Sequence, residues 1–192
     1  MYSLAIHGGV LNVSEKSFRN YAKHNKYLKN LEFQWKESLH EYLEIGQSML
    51  KKNYSAMEVV EEIIKLIENN PIFNSGTGSK ITNNGTYNLS SCIMDGKHKE
   101  YSMSSNISNI KNPIVLSKTL LDNNIRINEN NSNKYQLDTI KKKFFENKQR
   151  KTLYKLSKKI DSGTVGCIAI DQNSNICVGT SSGKITNISN YN

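Results

Sequence analysis

The residues of this 192-residue chain best suited to chemistry are a Gly–Thr pair at positions 163 and 164. Thr164 follows the turn DSG and opens the strand-like run TVGCIAID. A threonine hydroxyl is a poor nucleophile unless a base removes its proton, and a free α-amine on the same residue can be that base. Such an amine has a pKa of about 7.7–8.0, so much of it is neutral near physiological pH. Cleavage between Gly163 and Thr164 would therefore create a nucleophile and its base together. The alternative is that Thr164 only begins a strand.

A glycine at position 163 suits cleavage by Thr164 itself. The threonine hydroxyl would attack the preceding carbonyl, and a residue without a side chain lets that peptide adopt the strained geometry required. We therefore expect Thr164→Ala to abolish cleavage and Thr164→Ser to retain a slow version.

The elements that must position Thr164 can be predicted from periodicity and from cap signals. A strand over residues 2–6 runs into the turn His7-Gly8-Gly9, where His7 is interpreted as a structural histidine rather than a base. Helical spacing of apolar residues covers 33–52. The pair Ser55 and Glu58 forms a capping box that begins a second helix, which ends at Pro71.

The second half of the chain alternates strands, turns and one helix. Strands are predicted up to Asp95 and over 101–110, and the sequence NNG at 83–85 predicts a turn. A helix over 112–124 opens with proline in its first turn. The segments 164–171 and 175–182 form a hairpin around the turn DQNSN. The fold class is therefore α+β, with helices covering a sheet.

The net charge of +9 arises from 26 Lys and Arg residues against 17 Asp and Glu residues. Residues 141–159 contain nine basic residues and one acidic residue, so eight of the nine net charges lie there. Such a run is usually a solvated linker, and we expect no nucleic-acid partner. A cytoplasmic location is expected, because no apolar run is long enough for a membrane span and a signal-peptide core is lacking. A nuclear signal within 141–159 is the alternative.

Cofactor chemistry is not suggested by the cysteines. Cys92, Cys167 and Cys177 have no metal-ligand spacing, and we interpret them as free, buried thiols.

Six ordered stretches resemble the plant-type asparaginase and isoaspartyl peptidase family of threonine N-terminal-nucleophile hydrolases, which also includes taspase-like endopeptidases. They are LAIHGG (4–9), NPIFNSGTGS (70–79), SSCIMDG (90–96), ISNIKNPIVLSKTLL (107–121), DSGTVGCIAID (161–171) and VGTSSGKITN (178–187). A single GTVG is a weak signal, whereas the ordered set is a strong one.

The resemblance implies roles for particular residues. Thr164 occupies the position of the nucleophile that self-cleavage after Gly163 exposes. Ser182 corresponds to a second hydroxyl that hydrogen-bonds the nucleophile and its amine, and Asn74 corresponds to an asparagine near the nucleophile. The resemblance implies no cofactor for catalysis. It does imply a structural sodium ion held by main-chain carbonyls, and the matching positions are Ile67, Glu68, Asn70, Phe73, Ser75 and Thr77.

The family resemblance also implies an organisation. We expect one partial asparaginase-like domain over 1–192 with an αββα sandwich that is incomplete at the C-terminus. Within it, 1–122 is the structured part of the α subunit, 123–163 is a polar basic linker up to the cleavage site, and 164–192 begins the β subunit. The family's arginine clamp for the substrate carboxylate has no counterpart, since no arginine follows Arg150.

Three functions follow from the resemblance. The first is self-cleavage at Gly163–Thr164 followed by hydrolysis of L-asparagine or isoaspartyl peptides, in a homodimer of processed αβ units acting on a small molecule or peptide. The second is a taspase-like endopeptidase that cuts after Asp. The third is a truncated, non-catalytic homologue that is inert or acts only by pairing with another protein, because the edges of an unfinished sheet favour association.

Overall fold

The computed structural model describes residues 1–9, 23, 26–80, 86–129, 137, 140–145 and 163–183. In these ranges the chain forms, in order, β1 (Ser3–His7), α1 (Lys26–Lys51), α2 (Ala56–Asn69), β2 (Leu89–Asp95), β3 (Glu100–Ile107), α3 (Pro113–Asp122), β4 (Ile127–Glu129), β5 (Val165–Ile170) and β6 (Ile176–Gly183). Short 3₁₀ helices cover Gly76–Gly78 and Lys142–Phe145. The mixed α and β class is confirmed.

Helix α2 begins at the predicted capping box. The Ser55 hydroxyl accepts a hydrogen bond from Glu58 N at 3.3 Å, and the Glu58 carboxylate accepts one from Ser55 N at 2.8 Å. Both bonds satisfy main-chain N–H groups that a helix start leaves without a partner. The helix ends where Asn70 N donates to Ile67 O, just before Pro71. Its buried side carries the predicted apolar stripe Val59, Val60, Ile63, Ile64 and Ile67.

The two other helices also follow the sequence pattern. Helix α1 occupies Lys26–Lys51 and so begins seven residues before the predicted start at 33. Helix α3 has Pro113 in its first turn, as predicted, where the missing N–H costs no hydrogen bond.

The described strands form one six-stranded sheet in the order β1-β5-β6-β2-β3-β4. All neighbours are antiparallel except β3 and β4, which are parallel. The predicted hairpin is the pair β5–β6, and it lies between β1 and β2. The N-terminal strand therefore lies directly beside the segment that begins at Thr164.

Helices α2 and α3 cover one face of this sheet. The side chains of α2 pack against Val165, Cys167, Ala169 and Cys177 in the main core. Gly179 of β6 lies so close to α2 that a Cβ there would be 2.5 Å from Val60 Cγ1. Close packing of helix on strand thus fixes which side chains of β5 and β6 point inward.

Within the described ranges, no helix covers the opposite face of the sheet. A row of apolar side chains crosses this face, since Ile168 lies opposite Val178, Val178 opposite Met94, and Met94 opposite Tyr101. The exposed fractions of Ile168, Met94 and Tyr101 are 41%, 43% and 41%. We call Ile168, Val178, Met94, Tyr101 and Ile176 the open face.

Two short elements lie inside 123–163, the range predicted to be a polar linker. Strand β4 pairs in parallel with β3, with Ile127 opposite Met103. The 3₁₀ turn Lys142–Phe145 brings Phe145 to 5.0 Å from Tyr87 between ring centroids, fully buried. Phe145 thus belongs to a second buried cluster, separate from the main core, with Tyr87, Leu89, Ile107, Ile110, Leu116 and Leu120. The NNG turn at 83–85 and residues 146–162 lie outside the described residues.

Candidate active site

Thr164 lies immediately before β5 and is exposed. In the ladder between β5 and β6, Val165 is the partner of Ser181. Continuing this antiparallel register by one residue places Ser182 opposite Thr164. Residues directly opposite each other on one face of a sheet have Cβ atoms about 4.5–5.5 Å apart. Sheet register thus places the predicted nucleophile beside the predicted second hydroxyl.

The carbonyl of Gly163, which belongs to the predicted cleavage bond, lies against the glycine turn that follows β1. A Cβ added to Gly9 would be 2.6 Å from Gly163 O, and Gly9 has φ of +94°. Both the contact and the backbone conformation favour glycine at position 9. The predicted glycine turn at the end of β1 therefore contacts the predicted cleavage bond, which lies just before the neighbouring strand β5.

His7 contacts Thr164 through the main chain. Its Nδ1 atom lies 3.3 Å from Thr164 O and 3.2 Å from Gly9 N. A protonated Nδ1 donates to Thr164 O, whereas an unprotonated Nδ1 accepts from Gly9 N–H, so the two hydrogen bonds need different tautomers. These contacts agree with the interpretation of His7 as a structural residue, since neither involves the Thr164 hydroxyl.

Ser182 and Asn74 meet at the end of β6. The Ser182 hydroxyl donates to Gly183 O at 3.3 Å. Asn74 is buried; its Nδ2 donates to Gly183 O at 3.2 Å and its own carbonyl accepts from Gly183 N at 2.8 Å. Asn74 therefore forms two hydrogen bonds with Gly183, the residue after Ser182. These bonds stabilise the end of β6 and do not involve Thr164.

The loop predicted to hold sodium is tightly folded. Main-chain bonds join Asn70 N to Ile67 O at 3.1 Å and Gly78 N to Ser75 O at 2.9 Å. A carbonyl oxygen has two lone pairs, so each of these carbonyls can form a second interaction, such as one with a cation. The Ser75 hydroxyl is buried without a hydrogen-bond partner among the described residues. Neutral oxygen donors on a tight loop match the chemistry of a hard cation.

Glu68 also contributes to this loop through its main chain. Its carbonyl accepts from the Thr77 hydroxyl at 3.0 Å, and a Cβ at Gly76 would be 2.2 Å from the same oxygen. Gly76 has φ of +49°, a conformation that glycine adopts readily. Glycine at position 76 is therefore needed for the turn to pack against the end of α2.

The side chain of Glu68 is a feature that sequence reasoning missed, because only its main-chain carbonyl was predicted to act. The carboxyl group is fully buried and accepts from the Ser181 hydroxyl at 2.6 Å, from Ile114 N at 3.1 Å and from Asn112 Nδ2 at 3.2 Å. Burial raises the pKa of Glu68 to about 8, although these hydrogen bonds act to lower it. The sequence signal for this contact was Ser181, a polar residue at an inward-facing position of β6, which needs a buried hydrogen-bond partner.

This arrangement can support nucleophilic chemistry on an amide. An exposed threonine at a strand start has a serine opposite it, and its α-amine becomes a base once the preceding bond is cut.

Among the described residues, no group of three or more His, Cys, Asp or Glu side chains could hold a metal ion. A search of the same residues also found no helix with the length and apolar character of a membrane span.

Comparison with known proteins identifies the family. A family profile described as "Asparaginase" matches residues 2–127. The chain is 27% identical over 206 residues to the isoaspartyl peptidase of Escherichia coli K12, with 96% of this chain and 61% of that protein covered. It is 28% identical over 159 residues to the isoaspartyl peptidase/L-asparaginase of Homo sapiens, covering 74% and 52%. It is 41% identical over 86 residues to the plant-type L-asparaginase of Pyrococcus abyssi, covering 45% and 28%.

The chain spans 61% or less of the length of each of these three relatives. Since the family profile covers well over half of the 192 residues, the family itself is shown. The N-terminal strand, the glycine turn and the helices α1, α2 and α3 all fall within the match. The chain belongs to the plant-type asparaginase and isoaspartyl peptidase family.

Proposed function

We propose that this chain is a threonine-dependent amide hydrolase that cleaves its own Gly163–Thr164 bond and then hydrolyses L-asparagine or isoaspartyl peptides. One observation supports the proposal: Thr164 is exposed immediately before β5, and extending the β5–β6 register by one residue beyond Val165 and Ser181 pairs it with Ser182. Family membership supports the same reaction class, because the relatives are named isoaspartyl peptidase or L-asparaginase.

In the cleavage step the Thr164 hydroxyl oxygen bonds to the Gly163 carbonyl carbon and the peptide C–N bond breaks. The acyl group moves from nitrogen to oxygen, and the hydroxyl proton ends on the Thr164 nitrogen. Water then hydrolyses the ester, which leaves a Gly163 carboxylate, restores the hydroxyl and frees the α-amine. Close contact of Gly9 with Gly163 O orients the carbonyl that is attacked.

In the hydrolytic reaction the free amine of Thr164 takes the hydroxyl proton as the oxygen attacks the substrate amide carbon. Collapse of the intermediate releases ammonia from asparagine, or the amine of the next residue from an isoaspartyl peptide. Water hydrolyses the remaining ester and releases the acid. Ser182 supplies a hydrogen-bonding hydroxyl beside the nucleophile. Asn74 stabilises the end of β6, the strand that carries Ser182, through its two hydrogen bonds with Gly183.

The substrate class is chosen from the names of the relatives. Each of the three relatives described above acts, by its name, on isoaspartyl peptides or L-asparagine, so we favour these substrates over the endopeptidase alternative. The proposal includes a structural cation on the carbonyl loop at 67–77 and pairing of processed αβ units. A nuclear location is not part of it, because most of the basic segment 141–159 lies outside the described residues.

A second candidate function is non-catalytic pairing with another polypeptide. The open face favours it, because side chains such as Ile168 and Met94 are 41% and 43% exposed on a sheet whose other face is covered by α2 and α3. Apolar sheet faces of this kind are normally buried against a second layer. An αββα sandwich would provide that layer.

Intact mass measurement over several days tests the catalytic proposal. Wild-type chain of 21.8 kDa should yield a fragment whose N-terminal sequence is Thr-Val-Gly-Cys. Thr164→Ala should remain intact, Thr164→Ser should cleave slowly, and Thr180→Ser, a matched change on β6, should cleave at the wild-type rate. Processed protein should then release ammonia from L-asparagine or an amino acid from a β-aspartyl dipeptide.

Two results would overturn the catalytic proposal. One is wild-type protein that stays a single species and turns over neither substrate. The other is a Thr164→Ala variant that is still cut at the same bond, since a contaminating protease or another residue of the chain would then be responsible. A stable, inactive chain that associates through the open face would favour the pairing function instead.

A further inference from the structure

Glu68 is a fully buried carboxyl group that is bonded to Ser181 of β6, the strand beside β5, without being part of the predicted chemistry. Burying a charge-capable side chain is costly unless it is well hydrogen-bonded. Here the three donors Ser181, Asn112 and Ile114 N all point at its two oxygens. Fully satisfied polar groups make a core more rigid, so this carboxyl group is a candidate for positioning the elements that it joins.

The three donors belong to different parts of the chain. Ile114 N is one of the open N–H groups in the first turn of α3, and Asn112 is the residue that precedes this helix. Ser181 lies on β6, whereas Glu68 itself is near the end of α2. A single carboxyl group therefore joins the end of one helix, the start of another and the strand that carries Ser182.

The link to Ser181 determines where Ser182 points. Successive side chains of a strand point to opposite faces, so fixing Ser181 toward α2 turns Ser182 toward the other face. Ser181 is also the ladder partner of Val165, the residue after Thr164. A slip or rotation of β6 at Ser181 would therefore move Ser182 away from Thr164.

We propose that Glu68 is a positioning residue: by accepting the hydrogen bond from Ser181, it holds β6 so that the Ser182 hydroxyl remains opposite Thr164. This inference rests on the proposed function, because it assigns Glu68 a task in the reaction of Thr164. Glu68 touches neither Thr164 nor a substrate, and it acts through the strand.

A second cluster of buried hydroxyl groups provides a matched control. Ser117 lies 2.7 Å from the Ser91 hydroxyl and 3.0 Å from the Ser104 hydroxyl, and all three serines are buried. This cluster joins α3 to β2 and β3. Ser117→Ala therefore removes a buried hydroxyl bond from the same core while leaving the Glu68–Ser181 link in place.

The test compares self-cleavage rates, followed by intact mass, in the full chain. Ser181→Ala and Glu68→Ala should slow cleavage on the order of tenfold or more, since small displacements of reacting groups have large effects on rate. Glu68→Gln should recover most of the rate, because its amide oxygen can still accept from Ser181. The Glu68→Ala/Ser181→Ala double variant should be no slower than the slower single variant, since both remove one link. Ser117→Ala should stay within about twofold of wild type.

Hydrogen exchange of the peptide covering β6 gives a readout that does not depend on activity. Exchange there should rise in Ser181→Ala and Glu68→Ala and stay unchanged in Ser117→Ala. If wild-type protein does not cleave itself, the proposed function fails, and the exchange comparison alone decides whether Glu68 holds β6.

Two outcomes would overturn the positioning role. In the first, Ser181→Ala folds and shows wild-type exchange in β6 together with wild-type cleavage. In the second, Ser117→Ala slows cleavage as much as Ser181→Ala at the same loss of melting temperature, which would show that general destabilisation is responsible.

Discussion

Gly9 lies against the carbonyl oxygen of Gly163, and a Cβ at position 9 would be only 2.6 Å from that oxygen. Gly9→Ala should therefore shift the carbonyl that Thr164 is proposed to attack. Because Gly9 also has φ of +94°, alanine adds backbone strain of about 1–3 kcal/mol. We expect cleavage to slow on the order of tenfold or more, measured by intact mass.

Gly166→Ala is the matched control for this change. A Cβ at Gly166 would meet its nearest atom, Gly179 O, at 3.7 Å, which is an ordinary contact. Gly166 lies on β5, two residues from Thr164, so the control tests crowding near the site. Equal slowing by both variants would contradict a specific role for the Gly9 contact.

The open face should cause self-association or binding to a partner chain. Ile168→Lys places a charge at the β5 end of the apolar row and should raise the monomer fraction at a given concentration, because a buried charge in such a contact is unfavourable. Light scattering coupled to size-exclusion chromatography measures this. Tyr54→Lys, at an exposed position outside the sheet, should leave the distribution unchanged, and an effect of equal size there would contradict the prediction.

Asp171 should make stability depend on pH in the acid range. Its carboxylate is buried in the β5–β6 turn and accepts from Ala56 N at 3.1 Å and from Asn173 N at 2.9 Å. Burial acts to raise the pKa of Asp171, but these hydrogen bonds and those from Asn175 outweigh it and lower the pKa overall. The stabilisation is therefore present above the ordinary aspartate pKa of about 3.9 and is lost as pH falls through the lower folded value.

Asp171→Asn should flatten this acid-range loss of stability and should cost about 1–3 kcal/mol of unfolding free energy near pH 7. Urea unfolding at several pH values measures both effects. Asp122→Asn, at an exposed residue of α3, should change neither by much. An unchanged pH profile in Asp171→Asn would show that the turn carboxylate is not responsible.

The cysteines should differ in reactivity. Burial raises the pKa of Cys167 and of Cys177 to about 12, so neither forms thiolate near pH 8. Cys92 faces away from α2 and is half-buried, although burial raises the pKa of this thiol too. Mass spectrometry after alkylation should show Cys92 labelled first, with the other two labelled only in urea. Rapid labelling of Cys167 in the native chain would contradict the packing of β5 against α2.

Several elements could be predicted from the sequence because their signals are local. The capping box at Ser55 and Glu58 satisfies its own helix start, and the stripe from Val59 to Ile67 repeats at the helical period. The β5–β6 hairpin follows from alternating residues around a polar turn. Helix α1 began earlier than predicted because the residues before 33 offered no clear start signal.

The described residues of 123–163 include packing that composition does not predict. The polar, basic character of this range predicted a linker, yet Phe145 packs against Tyr87 and Ile127 pairs with β3. Tertiary contacts of a few apolar residues determine such short elements, which are too short to show a periodic sequence pattern.

The sequence by itself determined the nucleophile candidate, Thr164 after Gly163, and the local elements around it, because caps, turns and periodicity act over a few residues. Only the tertiary structure decided that β1 and β6 flank β5, which brings Gly9 to Gly163 and Ser182 opposite Thr164. The link from Glu68 to Ser181, which are 113 residues apart, likewise depends on how α2 packs across the sheet. Sheet order and helix packing are set by burial of the whole core, a physical requirement that no short stretch of sequence contains.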